Sequence, residues 1–347
     1  MAAKKAPAIG DWLAEEEPSE ELKGALRKAM RDLDQAKRKT DDLVTAVRQA
    51  VLDGVSALTI PPVPKPVADK RRGDSEVAVI LLSDWQLAKV TPTYSSDVCE
   101  QRIERLAEKV VKLTAIQRSA HPVKELRVYL LGDLVEGELI FPGQSHLIDA
   151  SLYRQVVVDG PRILAGFLRK MAATFEKVHV VGVIGNHGSL GGRARGDYHP
   201  ESNADAMMYE VTRLITEQEK RITWAPNFTP GERHWYATDT IGNKKWFLFH
   251  GDQVRGGHAG FPWYGFGKRL LGWCYSVERF DYAASGHFHT PINQYLNGLR
   301  HWGNGSTESD NTYAAEQLAA SGEPSQWLLF QHPERGVTAE YLVRLEE

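Results

Sequence analysis

One pattern restricts this chain more than any other: short apolar runs stop abruptly and hand over to polar side chains, and this happens five times. Residues 182–188 read Gly-Val-Ile-Gly-Asn-His-Gly, where a run marked by Val178, Val180, Val181, Val183 and Ile184 ends at Gly185 and presents Asn186 and His187. Residues 77–82 end in Ser83-Asp84-Trp85-Gln86, and residues 128–131 in Gly132-Asp133. Residues 246–249 end in His250-Gly251-Asp252, and residues 280–284 precede Gly286-His287-Phe288-His289. Each run has the length and composition of a buried strand. Between them Ile103, Leu106, Val110 and Leu113 mark one face of a helix, and further helical stretches cover residues 164–171 and 203–218. Alternating strands and helices predict an α/β sandwich, with the polar groups converging at one sheet edge, where strand carboxyl ends place ligands.

The donor types define the chemistry such a convergence permits. Asp84, Asp133, Asn186, His250, His287 and His289 offer oxygen or imidazole, which suits Mn, Fe, Zn or Ni. The only cysteines, Cys99 and Cys274, cannot build a metal cage and fit a reducing compartment. Six donors are too many for one tetrahedral ion. Two ions sharing a bridging carboxylate would use them all and leave room for a water-derived nucleophile and a substrate oxygen, the arrangement for in-line displacement at phosphorus. His287 and His289 flank one residue, so on extended backbone both point the same way and each can serve a different ion.

Taken in order, Asp84-x-Gln86, Gly132-Asp133-x-x-Glu136, Gly185-Asn186-His187, His250-Gly251-Asp252 and Gly286-His287-x-His289 resemble the five blocks of the calcineurin-like metallophosphoesterase superfamily, and are similar to its phage-type and repair-exonuclease-like members. The resemblance spans roughly residues 75–310. It implies a four-layered α/β/β/α sandwich around two divalent ions, Mn first among them. In that scheme Asp133 bridges the ions; Asp84, Gln86 and His289 hold the first; Asn186, His250 and His287 hold the second. His187 would sit over the substrate to stabilise the phosphorane or protonate the leaving oxygen, with a metal-held hydroxide attacking phosphorus. The chain departs from the family pattern at three places. Gln86 stands where a histidine is usual, giving the first site a weaker, harder amide donor. Gly188 stands where an acidic residue often orients the histidine, so His187 needs another partner, Glu136 or Asp252. Glu136 stands where repair exonucleases usually carry histidine.

The remaining sequence predicts the organisation around this domain. Residues 1–18 are small, acidic and proline-containing and read as a disordered N-terminus. Residues 19–58 read as a helical arm: Leu22, Leu26, Ala29, Leu33, Ala36, Thr40, Leu43, Val47, Ala50 and Gly54 follow a heptad-like spacing suited to a coiled coil that oligomerises the protein. Residues 59–74, with Pro61, Pro62, Pro64 and Pro66 before Lys70, Arg71 and Arg72, read as a stiff linker into a catalytic domain of residues 75–347. No secretory leader or spanning apolar run is evident, so a cytoplasmic protein without membrane contact is expected. A net charge of −3 excludes a generally basic coat but leaves local cationic loops. Arg193, Arg195 and Arg255 follow the third and fourth blocks, the aromatic stretch of residues 261–266 precedes Lys268 and Arg269, and His146 lies in a rim loop. Together these favour a phosphodiesterase acting on nucleic acid, DNA first, over a nucleotide or cyclic-nucleotide phosphodiesterase or phosphatase, or a scaffold with a weakened metal site.

Overall fold

In a computed structural model of the chain, the described residues are 61–71, 73–141, 143–190, 202–225, 235–255, 261–311, 316 and 322–346, with Lys28, Arg31, Thr45 and Gln49. The chain divides into two units, residues 1–46 and 47–347. Of the first, Lys28, Arg31 and Thr45 are described; all three are helical and exposed. The heptad seam and residues 1–18 lie outside the described residues.

Two sheets form the second unit. The first is ordered β11-β10-β1-β2-β3-β4, from β1 (Glu76–Leu82), β2 (Val123–Leu130), β3 (Lys177–Gly182), β4 (Ile222–Trp224), β10 (Ser325–His332) and β11 (Gly336–Arg344). Strands β1 to β4 run parallel, and the terminal hairpin β10–β11 joins antiparallel to β1. The second is ordered β5-β6-β7-β9-β8, from β5 (Tyr236–Ile241), β6 (Lys244–Phe249), β7 (Tyr282–Ser285), β8 (Ile292–Leu296) and β9 (Leu299–Gly303). Val79, Leu81, Tyr129, Leu131, Val181 and Val183 face Trp246, Leu248, Ala284 and Trp302 across the gap between the sheets. The alternate residues Ala78, Ile80 and Leu82 are also buried. Burial on both faces explains why the parallel strands read as unbroken apolar runs.

Helices α1 (Ser96–Arg118), α2 (Gly160–Ala172) and α3 (Ala204–Thr216) adjoin one another and the first sheet. Helix α4 (Trp263–Ser276) packs Phe266, Leu270 and Trp273 against Phe247, Phe249 and Ala283 of the second. The result is an α/β/β/α sandwich of four layers. No helix among the described residues is long and apolar enough to cross a membrane.

One expectation changes. The five polar groups do not share one sheet edge: three follow β1, β2 and β3 of the first sheet, and two follow β6 and β7 of the second. Pairing of the C-terminal hairpin with β1, a contact between opposite ends of the domain, gives the first sheet its own edge and leaves β6 and β7 to a second sheet. The proline-rich segment is also held to its neighbours by backbone hydrogen bonds. Carbonyls of Val63 and Pro64 accept hydrogen bonds from Arg221, the Pro61 carbonyl accepts one from Arg169, and the Asp69 amide donates to Glu176.

Candidate metal centre

After β1, β2 and β7 the chain turns sharply at the polar residues of the site. Asp84, Gln86, Asp133, His287 and His289 all take the left-handed backbone region, with φ between 49° and 73°. Such conformations cost non-glycine residues on the order of 1–3 kcal/mol each and persist where the surroundings enforce them. The enforcing bonds are visible: the Asp84 amide donates to Gly132 O, the Gln86 amide to Asp133 O, and the His287 amide to the Asp84 carboxylate at 3.0 and 3.1 Å. Gly185 is required by close approach. A Cβ there would lie 2.0 Å from Asp133 Oδ1, so any side chain displaces the carboxylate.

Asp133, His250 and His287 bring one donor atom each within 4.8 Å of the others. His250 Nδ1 donates to the Leu131 carbonyl at 2.7 Å, which leaves Nε2 as the outward nitrogen. That nitrogen lies 3.0 Å from Asp133 Oδ2 and 3.1 Å from Asn186 Oδ1. Three electron-pair donors thus converge on one point, and a cation satisfies all of them. Burial opposes charge on His250, but the Asp133 carboxylate outweighs it and raises the imidazole to about 10. Burial likewise opposes ionisation of Asp133, and His250 followed by His187 outweighs it, holding the carboxyl well below its usual range. His287 is driven well below the usual imidazole value by burial and by His250, so it is a neutral donor.

Asp84 and His289 form a second group, with His289 Nε2 3.3 Å from Asp84 Oδ1. Gln86, two residues after Asp84, is wholly buried, and neither its Oε1 nor its Nε2 finds a hydrogen-bond partner. A buried amide costs roughly 1–3 kcal/mol when left unsatisfied, so Gln86 Oε1 fits the role of a metal donor. Burial disfavours the His289 imidazolium, while Glu308 and then Asp84 raise it to about 10.

Binding of cations at both groups has a proton signature. His250 and His289, raised to about 10, carry protons at neutral pH until a metal claims Nε2. We expect Mn uptake to release a proton from each ring and apparent affinity to climb as pH rises from 6 to 8. Titration calorimetry in buffers of different ionisation enthalpy reads the release directly; a buffer-independent heat is the contrary result.

His187 stands at the edge of this cluster with its side chain 19% exposed. Its amide donates to Asp133 Oδ1 at 2.7 Å, and its Nδ1 lies 3.2 Å from both the Glu136 carboxylate and the Glu136 carbonyl. Glu136 therefore supplies the orientation that position 188 does not. Position 188 has no room for an acidic side chain, because a Cβ there would meet Asn203 Oδ1 at 2.6 Å. Asp252 acts on His250 through its charge. Burial opposes the His187 imidazolium, and Asp133 followed by Glu136 raises it to about 9.

Three supporting residues were not singled out from the sequence. Asp205, in the first turn of α3, accepts backbone N–H bonds from Asp133, Leu134, Val135 and Gly185 at 2.9–3.3 Å and so ties the second block to the third. Burial and the neighbouring Asp133 push its carboxyl up to about 6. Glu308 and Lys89 back the first group. Asn203 opening a helix two residues before an acid is the signal that marks Asp205; no local pattern marks Glu308.

Seven donors on two sheets, left-handed turns holding them, and a histidine facing outward complete the likeness to the blocks read in the sequence. The four-layered arrangement resembles the fold expected of the calcineurin-like metallophosphoesterases. Solved structures similar to the chain include an uncharacterised protein from Streptococcus pneumoniae described as a predicted phosphoesterase, at 13% identity over 77% of this chain and 98% of that one, with a TM-score of 0.32. Vacuolar protein sorting 29 from Cryptosporidium parvum matches at 14% identity over 78% and 100%, with a TM-score of 0.37. A novel archaeal phosphodiesterase matches at 10% identity over 77% and 99%, with a TM-score of 0.35. No family model matches the chain, and no curated protein does.

The expected substrate contacts divide. Arg193 and Arg195 lie outside the described residues. Arg255 is exposed, and His146 is exposed on the short turn Gln144–His146. Of the aromatic stretch, Phe261 and Phe266 are buried and stack on each other in the core under α4, whereas Trp263 and Tyr264 are exposed at its start.

Proposed function

We propose that this protein is a dinuclear, metal-dependent phosphodiesterase acting on nucleic acid. What supports the reading is the pair of donor groups, Asp133, His250 and His287 with Asn186 in one and Asp84 with His289 in the other, together with the unpartnered Gln86 amide and His250 Nε2 lying near two oxygen donors. Bound there, two divalent ions supply Lewis acidity toward the phosphoryl oxygens and acidify a water for attack. Mn suits the first group, where an amide replaces the usual imidazole. In this reading Asp133, grouped with His250 and His287, would bridge the two ions, and Glu136 would hold the His187 ring so that Nε2 is the nitrogen available to the leaving oxygen. A polymeric substrate fits the exposed Arg255, Lys268 and Arg269 together with the exposed Trp263 and Tyr264, cations and rings that suit phosphates and bases.

The test is a substrate panel with added Mn: bis-p-nitrophenyl phosphate, p-nitrophenyl phosphate, and labelled single- and double-stranded DNA. The reading expects cleavage of the diester and of DNA. Turnover of the small esters with DNA untouched moves the assignment to nucleotides. No turnover with Mn, Fe, Zn or Ni leaves a binding platform built on a metal-site scaffold.

A further inference from the structure

The loop between β9 and β10 is strapped to the first block. Ser306 Oγ donates to the Asp84 carbonyl at 2.7 Å, the Thr307 amide to the same carbonyl at 3.2 Å, and Thr307 Oγ1 to Trp85 O at 3.0 Å. Arg102 Nη1 locks the strap by donating to Thr307 O at 2.6 Å, and the Glu308 amide donates to Ser306 Oγ at 2.9 Å. This strap delivers a buried carboxylate into the space behind His289. Glu308 Oε1 accepts from His289 Nδ1 at 2.6 Å and from Asn311 Nδ2 at 2.7 Å, while Lys89 Nζ pairs with Oε2 at 2.5 Å. Both charged partners are largely out of water, with side-chain exposures of 17% for Lys89 and 4% for Glu308.

From this geometry we infer that Glu308 is the positioning residue of the first metal group, fixing the His289 tautomer so that Nε2 faces the ion and making up in imidazole basicity for the amide at position 86. The inference rests on the dinuclear reading above. A carboxylate behind a metal-ligating histidine holds the ring and strengthens its donor nitrogen, and removing such a partner typically lowers metal affinity about 10- to 100-fold. The second group is served differently: His250 donates to a neutral backbone carbonyl, Leu131 O. The compensation therefore lies where the ligand set is weakest. The charge of Lys89 beside the far oxygen of Glu308 keeps the carboxylate from turning into the site as a ligand itself.

Mn binding to the full chain by titration calorimetry, with metal content checked after gel filtration, separates the possibilities. Glu308→Gln keeps the side chain's volume and removes its charge; Glu308→Asp keeps the charge and withdraws it from the ring. In wild type two binding events are expected. Glu308→Gln should weaken one of them about 10- to 100-fold and leave the other within about twofold, with the metal-free melting temperature close to wild type. Co substituted for Mn should then lose the absorption of one site only. Two events of unchanged affinity in both variants overturn the role of Glu308 while leaving the dinuclear centre standing. Equal weakening of both sites together with a lowered metal-free melting temperature marks Glu308 as a general structural residue and also overturns it. Wild type that takes up no metal overturns the centre and this inference with it.

Discussion

Asp133→Ala is expected to lower bis-p-nitrophenyl phosphate turnover by at least about three orders of magnitude and to reduce bound metal from two ions to at most one. The size follows from the number of roles one carboxylate fills. Deleting a single preorganised electrostatic group at a reacting centre commonly costs about 10²–10³ in rate, and in the proposed centre Asp133 would serve both ions. Its Oδ2 lies 3.0 Å from His250 Nε2, and its Oδ1 accepts the His187 amide at 2.7 Å, so truncation also releases the loop carrying His187. Asp133→Asn separates these effects. An amide keeps an oxygen for the His187 amide but loses the charge that, with His187, His250 and His287 nearby, is held ionised against burial. If charge is the larger part, Asp133→Asn falls nearly as far as Asp133→Ala while melting close to wild type. Steady-state kinetics with metal analysis on the same preparations reads both quantities. An Asp133→Asn enzyme within tenfold of wild type, still holding two ions, would falsify the bridging assignment.

How much of this centre is legible in the chain depends on the range of the contacts that make it. The block residues are legible because each lies within a few residues of a strand end, where apolar runs, glycine and polar groups must be adjacent in sequence to be adjacent in space. Gly185 shows the limit of such a reading: it appears as a turn glycine, whereas what excludes a side chain is the Asp133 carboxylate from another strand. Residues that act across long separations leave no local trace. Asp205 meets Asp133 over a separation of 72 residues, and the Glu308 strap meets Asp84 over 222. The division into two sheets is hidden for the same reason, since it depends on β10 choosing β1. The aromatic stretch was ambiguous because its members part company: the start of α4 turns Phe261 and Phe266 inward and leaves Trp263 and Tyr264 outside. Gly188, read as a lost orienting group, is instead the residue that lets the start of α3 close on the third block, with the Ala204 amide donating to Gly188 O at 2.7 Å.

His187→Gln is expected to act on the leaving group. General acid catalysis is worth about 10²–10⁴ where the departing oxygen needs a proton. A sugar oxygen of DNA needs one; p-nitrophenolate departs without it. The variant should therefore lose about 10²–10⁴ in kcat on DNA and much less, about tenfold or under, on bis-p-nitrophenyl phosphate. The geometry supports an acid at this position. Nδ1 donates to the Glu136 carbonyl, the side chain reaches the surface, and against burial Asp133 and Glu136 raise the imidazole to about 9 in the metal-free protein. A proton donor is lost as pH rises, so the wild-type rate on DNA should fall along an alkaline limb. The rate on the p-nitrophenyl diester should not share the limb, and His187→Gln should lack it on both substrates. Equal losses on the two substrates would move His187 from proton donor to stabiliser of charge on the phosphoryl group, because that charge develops whatever leaves. Glu136→Gln refines the same comparison: it preserves a hydrogen-bond acceptor for Nδ1 and removes the charge behind it, so a proton-donating His187 responds by shifting the alkaline limb to lower pH, and a purely electrostatic one responds with a uniform loss at every pH.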